Sequence, residues 1–221
     1  MNIIVLGPQG SGKGTQAELL AKKYNLEHID MGKFLRVVAK ENTPLGKKIN
    51  EIINVRKELV DDKILKRVLH VKLQDLPREK GIVFDGVPRR EDQREYFEEA
   101  LREFGREIDA VIFVNIPKEE SIKRISKRWT CKKCGAPLIM GIDIKNGKEK
   151  CPRCGGEIHQ RADDSPEGVK KRLAIFKKET KPVIDYYRGK GLLIEIDGRP
   201  EIDVVSKNII KELSKCSAIK G

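Results

Sequence analysis

Along most of the chain, short runs that are apolar or β-branched alternate with longer stretches in which apolar residues return every three or four positions. The short runs, Asn2 to Leu6, Glu27 to Asp30, Ile82 to Asp85, Ala110 to Ile116 and Leu192 to Ile196, predict strands. The longer stretches carry helical spacing, as in Ala17, Leu20, Ala21 and Tyr24, or Val169, Leu173 and Phe176. Strands that lack a polar face are buried on both sides, so the pattern predicts a parallel sheet covered by helices: an α/β fold with five strands. Two stretches break the alternation. Residues 31–60 are helical in pattern and hold no strand, and residues 129–160 combine clustered cysteines with many glycines and little helical periodicity. The expected organisation is a core of residues 1–30, 61–128 and 161–221, a helical insertion at 31–60 and a small module at 129–160. Both excursions follow the end of a strand or of the helix after it, where open α/β sheets place their ligands.

Composition narrows the class. A chain of 221 residues with 38% hydrophobic and 36% charged residues can bury one core and is too apolar for disorder. No stretch approaches the roughly 18 apolar residues that span a bilayer, and the apolar start reads as a strand, not a signal peptide. No membrane partner is expected. Five cysteines without a secretion signal point to a reducing compartment, the cytoplasm, where thiols serve as metal ligands more than as disulfides. Cys216, in the polar C-terminal tail, is expected to be inert. The formal charge of +12 favours polyanionic partners, whether nucleotide, nucleic acid or anionic lipid.

The first chemical signal follows the first strand. In GPQGSGKGT, Gly7 to Thr15, glycines let the loop wrap closely, backbone N–H groups and the following helix N-terminus cradle phosphates, and Lys13 brings charge to them. The residue after Lys13 is Gly14, and the hydroxyl arrives one position late at Thr15. A magnesium ion would lose its usual direct hydroxyl ligand there. Asp85, closing the third strand, is the natural residue to order its water shell.

The second signal is the cysteine spacing. Cys131 and Cys134 form one CxxC and Cys151 and Cys154 another, at a separation within the zinc-knuckle range, with Gly135 and Gly155 after each knuckle. Four thiolates leave no open position, so a zinc ion here is expected to be structural. His159, close by, is expected to pack and not to ligate.

Arginine forks bind phosphate oxygens in pairs, and Arg36, Arg89, Arg124, Arg128, Arg161 and Arg172 lie near predicted turns. Taken with these, GPQGSGKGT, MGKFLR, FDGVPRREDQ, the cysteine module closed by HQRADD, KKRL and IDGRP occur in an order, over nearly the whole chain, that resembles the adenylate kinase family. The resemblance implies phosphoryl transfer from MgATP to AMP, giving two ADP, in a monomer with a monophosphate-binding insertion and a closing lid. It implies that Gly10, Ser11, Gly12, Lys13, Gly14 and Thr15 hold ATP phosphates, with Arg124 stacked on the adenine and Arg128 at the phosphates. The monophosphate site would comprise Met31, Arg36, Glu58, Leu59, Val60, Gly86, Val87, Pro88, Arg89, Gln93, Arg161 and Arg172. Arg128, Arg161 and Arg172, with Lys13, Arg89 and Asp85, would serve the transfer itself, and Asp163 and Asp164 would link the lid arginines to the hinge.

Some positions depart from the family pattern. Met31 stands where threonine is usual beside the base, Lys33 where aspartate is usual, Val87 replaces a phenylalanine, and Leu138 and His159 stand where tyrosine is frequent. Met31 motivates a sister reading with UMP or CMP as acceptor. A nucleic-acid-binding protein with zinc knuckles is the reading from another class. One Trp, four Tyr and six Phe, with no aromatic cluster in the module, speak against it and against a nucleic-acid partner.

Overall fold

The structure, a computed structural model, describes every residue except Lys57, Leu59, Asp61, Ala162, Asp163, Lys220 and Gly221, together with all side chains but those of these residues, Asp62 and residues 216–219. The expected site residues Leu59 and Asp163, and the Cys216 side chain, lie outside the described residues.

Five parallel strands form the main sheet: β1 Asn2–Leu6, β2 Glu27–Asp30, β3 Ile82–Asp85, β4 Ala110–Asn115 and β8 Leu193–Asp197, in the order β2-β3-β1-β4-β8. Every residue of β1 and β3 is buried, as expected of strands covered on both faces. The pleat sorts their side chains. Ile4, Leu6, Ile82 and Phe84 point into one cluster, where Phe84 meets Phe97 edge to face at 4.8 Å, while Ile3, Val5 and Val83 point into the other. The first cluster packs α2 Met31–Val38, α4 Asp62–Gln74, α5 Glu91–Glu103 and α8 Lys181–Gly189, and the second α1 Lys13–Tyr24 and α9 Ile202–Ile219.

Local chemistry sets the helix limits. Asp30 caps α2 by accepting from the Lys33 amide at 2.7 Å. Thr43 caps α3 Pro44–Asn50 with proline in its first turn, and Ser165 does the same for α7 Pro166–Ile175. Helix α1 ends at Asn25, whose left-handed φ of 52° turns its N–H onto Ala21 O. The stretch between β2 and β3 is helical throughout its regular part, with α2, α3 and a π-helical turn, Glu51–Arg56, ahead of α4.

After α6, Lys118–Ser126, three short antiparallel strands make a second sheet: β5 Arg128–Cys131, β6 Pro137–Ile139 and β7 Ile158–His159, with β5 central. Its apolar centre is Leu138, Ile144 and Ile158 around Cys131 and Cys151. Each aliphatic side chain contributes about 1.5–3 kcal/mol, too little to order a segment of this length without a further tie.

Candidate active site and metal centre

The phosphate loop leaves β1 through Gly7. A Cβ there would lie 2.5 Å from Ser11 Oγ and 2.6 Å from Val114 O, so no side chain fits. Gly10 and Gly12 take φ of +75° and +87°, and Gly12 leads directly into α1. The loop is held from outside. Ser121 Oγ donates to Gln9 O at 2.5 Å, and Arg124 donates to Gly198 O and Arg199 O, both at 2.9 Å, as well as to Gly10 O and to Glu120. Arg124 therefore ties the turns after β1 and β8 to α6, while the face of its guanidinium stays uncommitted by these in-plane bonds. Ser11 is buried, and Gly14 and Thr15 open the helix at the mouth of the loop.

A cleft with a free volume of about 130 Å³ runs from this loop to the helical excursion. Lys13, Met31, Arg36, Glu58, Val60, Gly86, Arg89, Gln93 and Arg172 all line it. The turn Gly86 to Arg89 shows how the sequence builds its wall. Gly86 has φ +76°, and a Cβ on it would lie 2.5 Å from the Arg89 guanidinium, whose Nε donates to Gly86 O at 2.6 Å. Val87 and Pro88, joined by a cis peptide, are buried behind the turn. The Arg89 amide donates to Gln93 Oε1 at 2.8 Å, which orients that side-chain amide. Met31 is 2% exposed and belongs to the apolar core as well as to the cleft.

Charge converges at the loop end of the cleft. Burial pushes the Lys13 ammonium down to about 7; Asp85 opposes this, and Arg89, Arg172 and Arg128 add to it. Asp85 is itself buried, which lifts its carboxyl above the ordinary range, against the pull of Lys13. Its carboxylate accepts no hydrogen bond among the described residues. His28 Nε2 stands 3.9 Å from Asp85 Oδ2, and a Cβ on Gly14 would sit 3.0 Å from that oxygen. Gly14, the residue that displaces the expected hydroxyl, is thus what gives Asp85 access to the loop.

Arg128 donates through Nε to Asp164 at 2.9 Å, and its Nη2 also pairs with that carboxylate; Arg172 joins at 3.3 Å. Asp164 so gathers two expected phosphate ligands. Arg161 lies farther out, donating to Thr130 Oγ1 at 3.0 Å in β5. Arg124, Arg128 and Arg161 do not line the cleft itself. Sequence reasoning missed Gln9, Gly32, Leu35, Ile53, Leu65, Ile175, Phe176 and Thr180, which do. Most are apolar residues on helices, where periodicity reads them as core. Thr180, whose Oγ1 donates to Arg89 O at 3.0 Å, carries no local signal at all.

In the small sheet, Cys131, Cys134, Cys151 and Cys154 bring their Sγ atoms within 4.8 Å of one another. The pairs Cys131–Cys154 and Cys134–Cys151 stand 3.5 and 3.8 Å apart and form no disulfide. A tetrahedron with metal–sulfur bonds of about 2.3 Å has edges of about 3.8 Å, so the four thiols are placed for one metal ion. Gly135 and Gly155, at φ +73° and +68°, return the chain under the sulfurs, and their amides donate to Cys131 O and Cys151 O at 3.0 and 2.8 Å. The Cys134 amide points at Cys131 Sγ, and this bond is the main cause holding that thiol at about 6, towards the thiolate that binds metal. His159 is outside the group.

A glycine loop between a central parallel strand and a helix, with a lysine and arginines around one cleft, defines a P-loop phosphotransferase. The chain belongs to the adenylate kinase family. The family model described as adenylate kinase matches residues 5–192. The chain is 43% identical over 215 residues to an adenylate kinase of Archaeoglobus fulgidus, covering 97% of this chain and 99% of that one. It is 40% identical to one of Caldicellulosiruptor bescii (96% and 99% covered) and 39% to one of Staphylococcus epidermidis (95% and 97%).

Proposed function

We propose that this enzyme transfers the γ-phosphoryl group of MgATP to AMP, and that its residues act in the following roles. The observation that carries the reading is that Lys13, Arg89 and Arg172 line one cleft with Met31 and Gln93, while Arg128 shares Asp164 with Arg172 beside it. Such transfer needs little covalent chemistry from a protein; it needs two substrates held in line and charge neutralised on several oxygens. The amides of residues Gly10 to Thr15 and the start of α1 receive the ATP phosphates, with Arg124 offering its guanidinium face to the adenine. Arg36 and Arg89 hold the acceptor phosphate. Glu58, Leu59 and Val60 flank the acceptor base, and Gln93 reads its edge with an amide already fixed by Arg89.

Lys13, Arg128, Arg161 and Arg172 surround the transferring group and favour the charge that spreads over it. Magnesium entering with ATP supplies charge neutralisation at the phosphate oxygens. Asp85, buried and without a hydrogen-bond donor among the described residues, and the Thr15 hydroxyl are the residues that would hold it through water. The four cysteines would hold zinc as a structural ion. The proposal divides the chain into a core (1–30, 61–128, 161–221), a monophosphate-binding insertion (31–60) and a zinc-binding lid (129–160). It describes a monomer acting on ATP, AMP and ADP, with no nucleic-acid partner, in the cytoplasm; four thiols that make no disulfide suit that reducing setting, and no described helix is long and apolar enough to cross a membrane.

An ADP-forming assay with MgATP and AMP, UMP, CMP, GMP or dAMP tests the acceptor. AMP is expected to give the highest kcat/KM. Because Met31 offers no hydrogen-bond donor, discrimination is expected to be loose, and Met31→Thr is expected to sharpen it by about tenfold. A clear preference for UMP or CMP would establish the sister reading instead.

A further inference from the structure

The metal knuckle and the helix that begins the monophosphate-binding insertion meet across the mouth of the cleft. Lys33, exposed in the first turn of α2, places its Cε 3.5 Å from the point where a Cβ on Gly135 would sit. Gly135 directly follows Cys134 and closes the first knuckle through its bond to Cys131 O. Lys40 lies in the turn just past the end of α2, and its charge bears on His159 of the small sheet. His159 in β7 is held below its ordinary pKa chiefly by burial, and the charges of Lys132, Lys40 and Arg161 add to the depression.

Neither Lys33 nor Lys40 has a carboxylate partner among the described residues, and neither lines the cleft, whereas Arg36 on the same helix does. The module's own cations are differently placed. Lys132 pairs with Glu157 at 2.8 Å, and Arg153 reaches Glu18 at 3.9 Å. A divalent ion within four thiolates leaves a net charge of about −2. That charge is fixed in position, and the lysines nearest it from α2 and the turn after it are Lys33, with its Cε against the knuckle glycine, and Lys40, whose charge bears on His159.

We propose that Lys33 and Lys40 are positioning residues, forming an electrostatic latch that draws the metal–thiolate knuckle onto α2 and so couples occupancy of the two nucleotide sites. The inference rests on the nucleotide and metal assignments above. Neither lysine touches the reacting atoms. A nucleotide bound beneath either arm brings the arms together, and each ligand therefore tightens the other by the same factor. A carboxylate at position 33, the residue usual in the family, would repel the knuckle.

The test measures binding, without turnover, on the metal-loaded full-length protein. The dissociation constants of AMP and of a non-hydrolysable ATP analogue are determined alone and in each other's presence. They are compared for the wild type, Lys33→Met, Lys33→Asp and Lys40→Met at about 0.05 and 0.5 M salt. Each ligand alone is expected to bind every variant within about twofold of wild type. The mutual tightening should fall about threefold in Lys33→Met and about tenfold in Lys33→Asp, less in Lys40→Met. High salt should lower it in the wild type and leave Lys33→Met unmoved. Unchanged coupling in Lys33→Asp overturns the latch and leaves the phosphotransferase standing. A tenfold loss of AMP affinity in Lys33→Met, with no ATP analogue present, also overturns it, by making Lys33 a direct phosphate ligand. A wild type that binds no AMP overturns the latch and the proposed function together.

Discussion

Two places in this molecule are shaped to receive ions of opposite sign, and they are supported in opposite ways. The phosphate loop hangs from β1, buried at every residue in the centre of the sheet, and is stapled from outside by Ser121 and Arg124. The cysteine turns hang from strands of two to four residues around three aliphatic side chains. The first is made by the fold, through bonds that do not involve a ligand. The second is placed for an ion that would complete it, since three aliphatic side chains leave little apolar contact around four sulfurs that lie within 4.8 Å of one another. Removing charge from the loop should therefore cost catalysis and spare stability, while removing the metal should cost stability and spare chemistry.

The largest expected effect is on the loop. Lys13→Ala should lower kcat by about 10²–10³-fold while the melting temperature stays within a few degrees, read by steady-state kinetics and calorimetry. Near-normal turnover would take Lys13 out of the transfer. At the other turn, Cys151→Ser with Cys154→Ser should lose the metal and lower the melting midpoint by about 10 °C, with substantial activity remaining at low temperature. Metal analysis that finds no zinc in wild type prepared under reducing conditions would end the structural-zinc assignment. Abolished activity with the module still folded would make the ion catalytic and erase the contrast.

The smallest effect is protonic. Lys13 is held at about 7 in the folded protein, against about 10.4 in an unfolded chain. Its folded value is depressed, so the unfolded state binds more protons between these values. The cost of keeping it charged is present in full below pH 7 and disappears as pH rises towards 10. Phosphate binding reverses the depression, so binding at pH 8 should draw close to one proton onto Lys13. Calorimetry in two buffers of different ionisation enthalpy reads this, and the uptake should be absent from Lys13→Met. Equal uptake in both proteins would assign the proton elsewhere.

The same contrast explains what the chain revealed before its structure. The sheet was legible because β1, β3 and β4 are apolar runs ended by turn residues, and the loop and knuckles because each concentrates its chemistry in a few adjacent positions. The far wall of the cleft was not. Phe176 and Thr180 lie in a π-helical turn, Phe176–Thr180, between α7 and α8, a departure from the α-helical period that the sequence does not announce, and line the cleft from there. Leu35 and Ile53 follow the same spacing as residues that simply fill the core. Asp164 was read as one of a pair, but its nearly complete burial between Arg128 and Arg172 is a long-range fact that no local pattern encodes. Arg124 likewise discloses its ties to Gly198 and Arg199 only in three dimensions.

The chain contains one tryptophan, and it stands in β5, with its ring against Gly147 so closely that a Cβ there would come within 2.2 Å. Indole emission from this protein consequently originates in the cysteine module alone, whereas its far-ultraviolet circular dichroism is dominated by helices packed on the main sheet. A single heating experiment followed in both signals therefore observes two regions separately. Coincident curves mean one cooperative unit, and an emission change that runs ahead of the dichroism means that the module opens first.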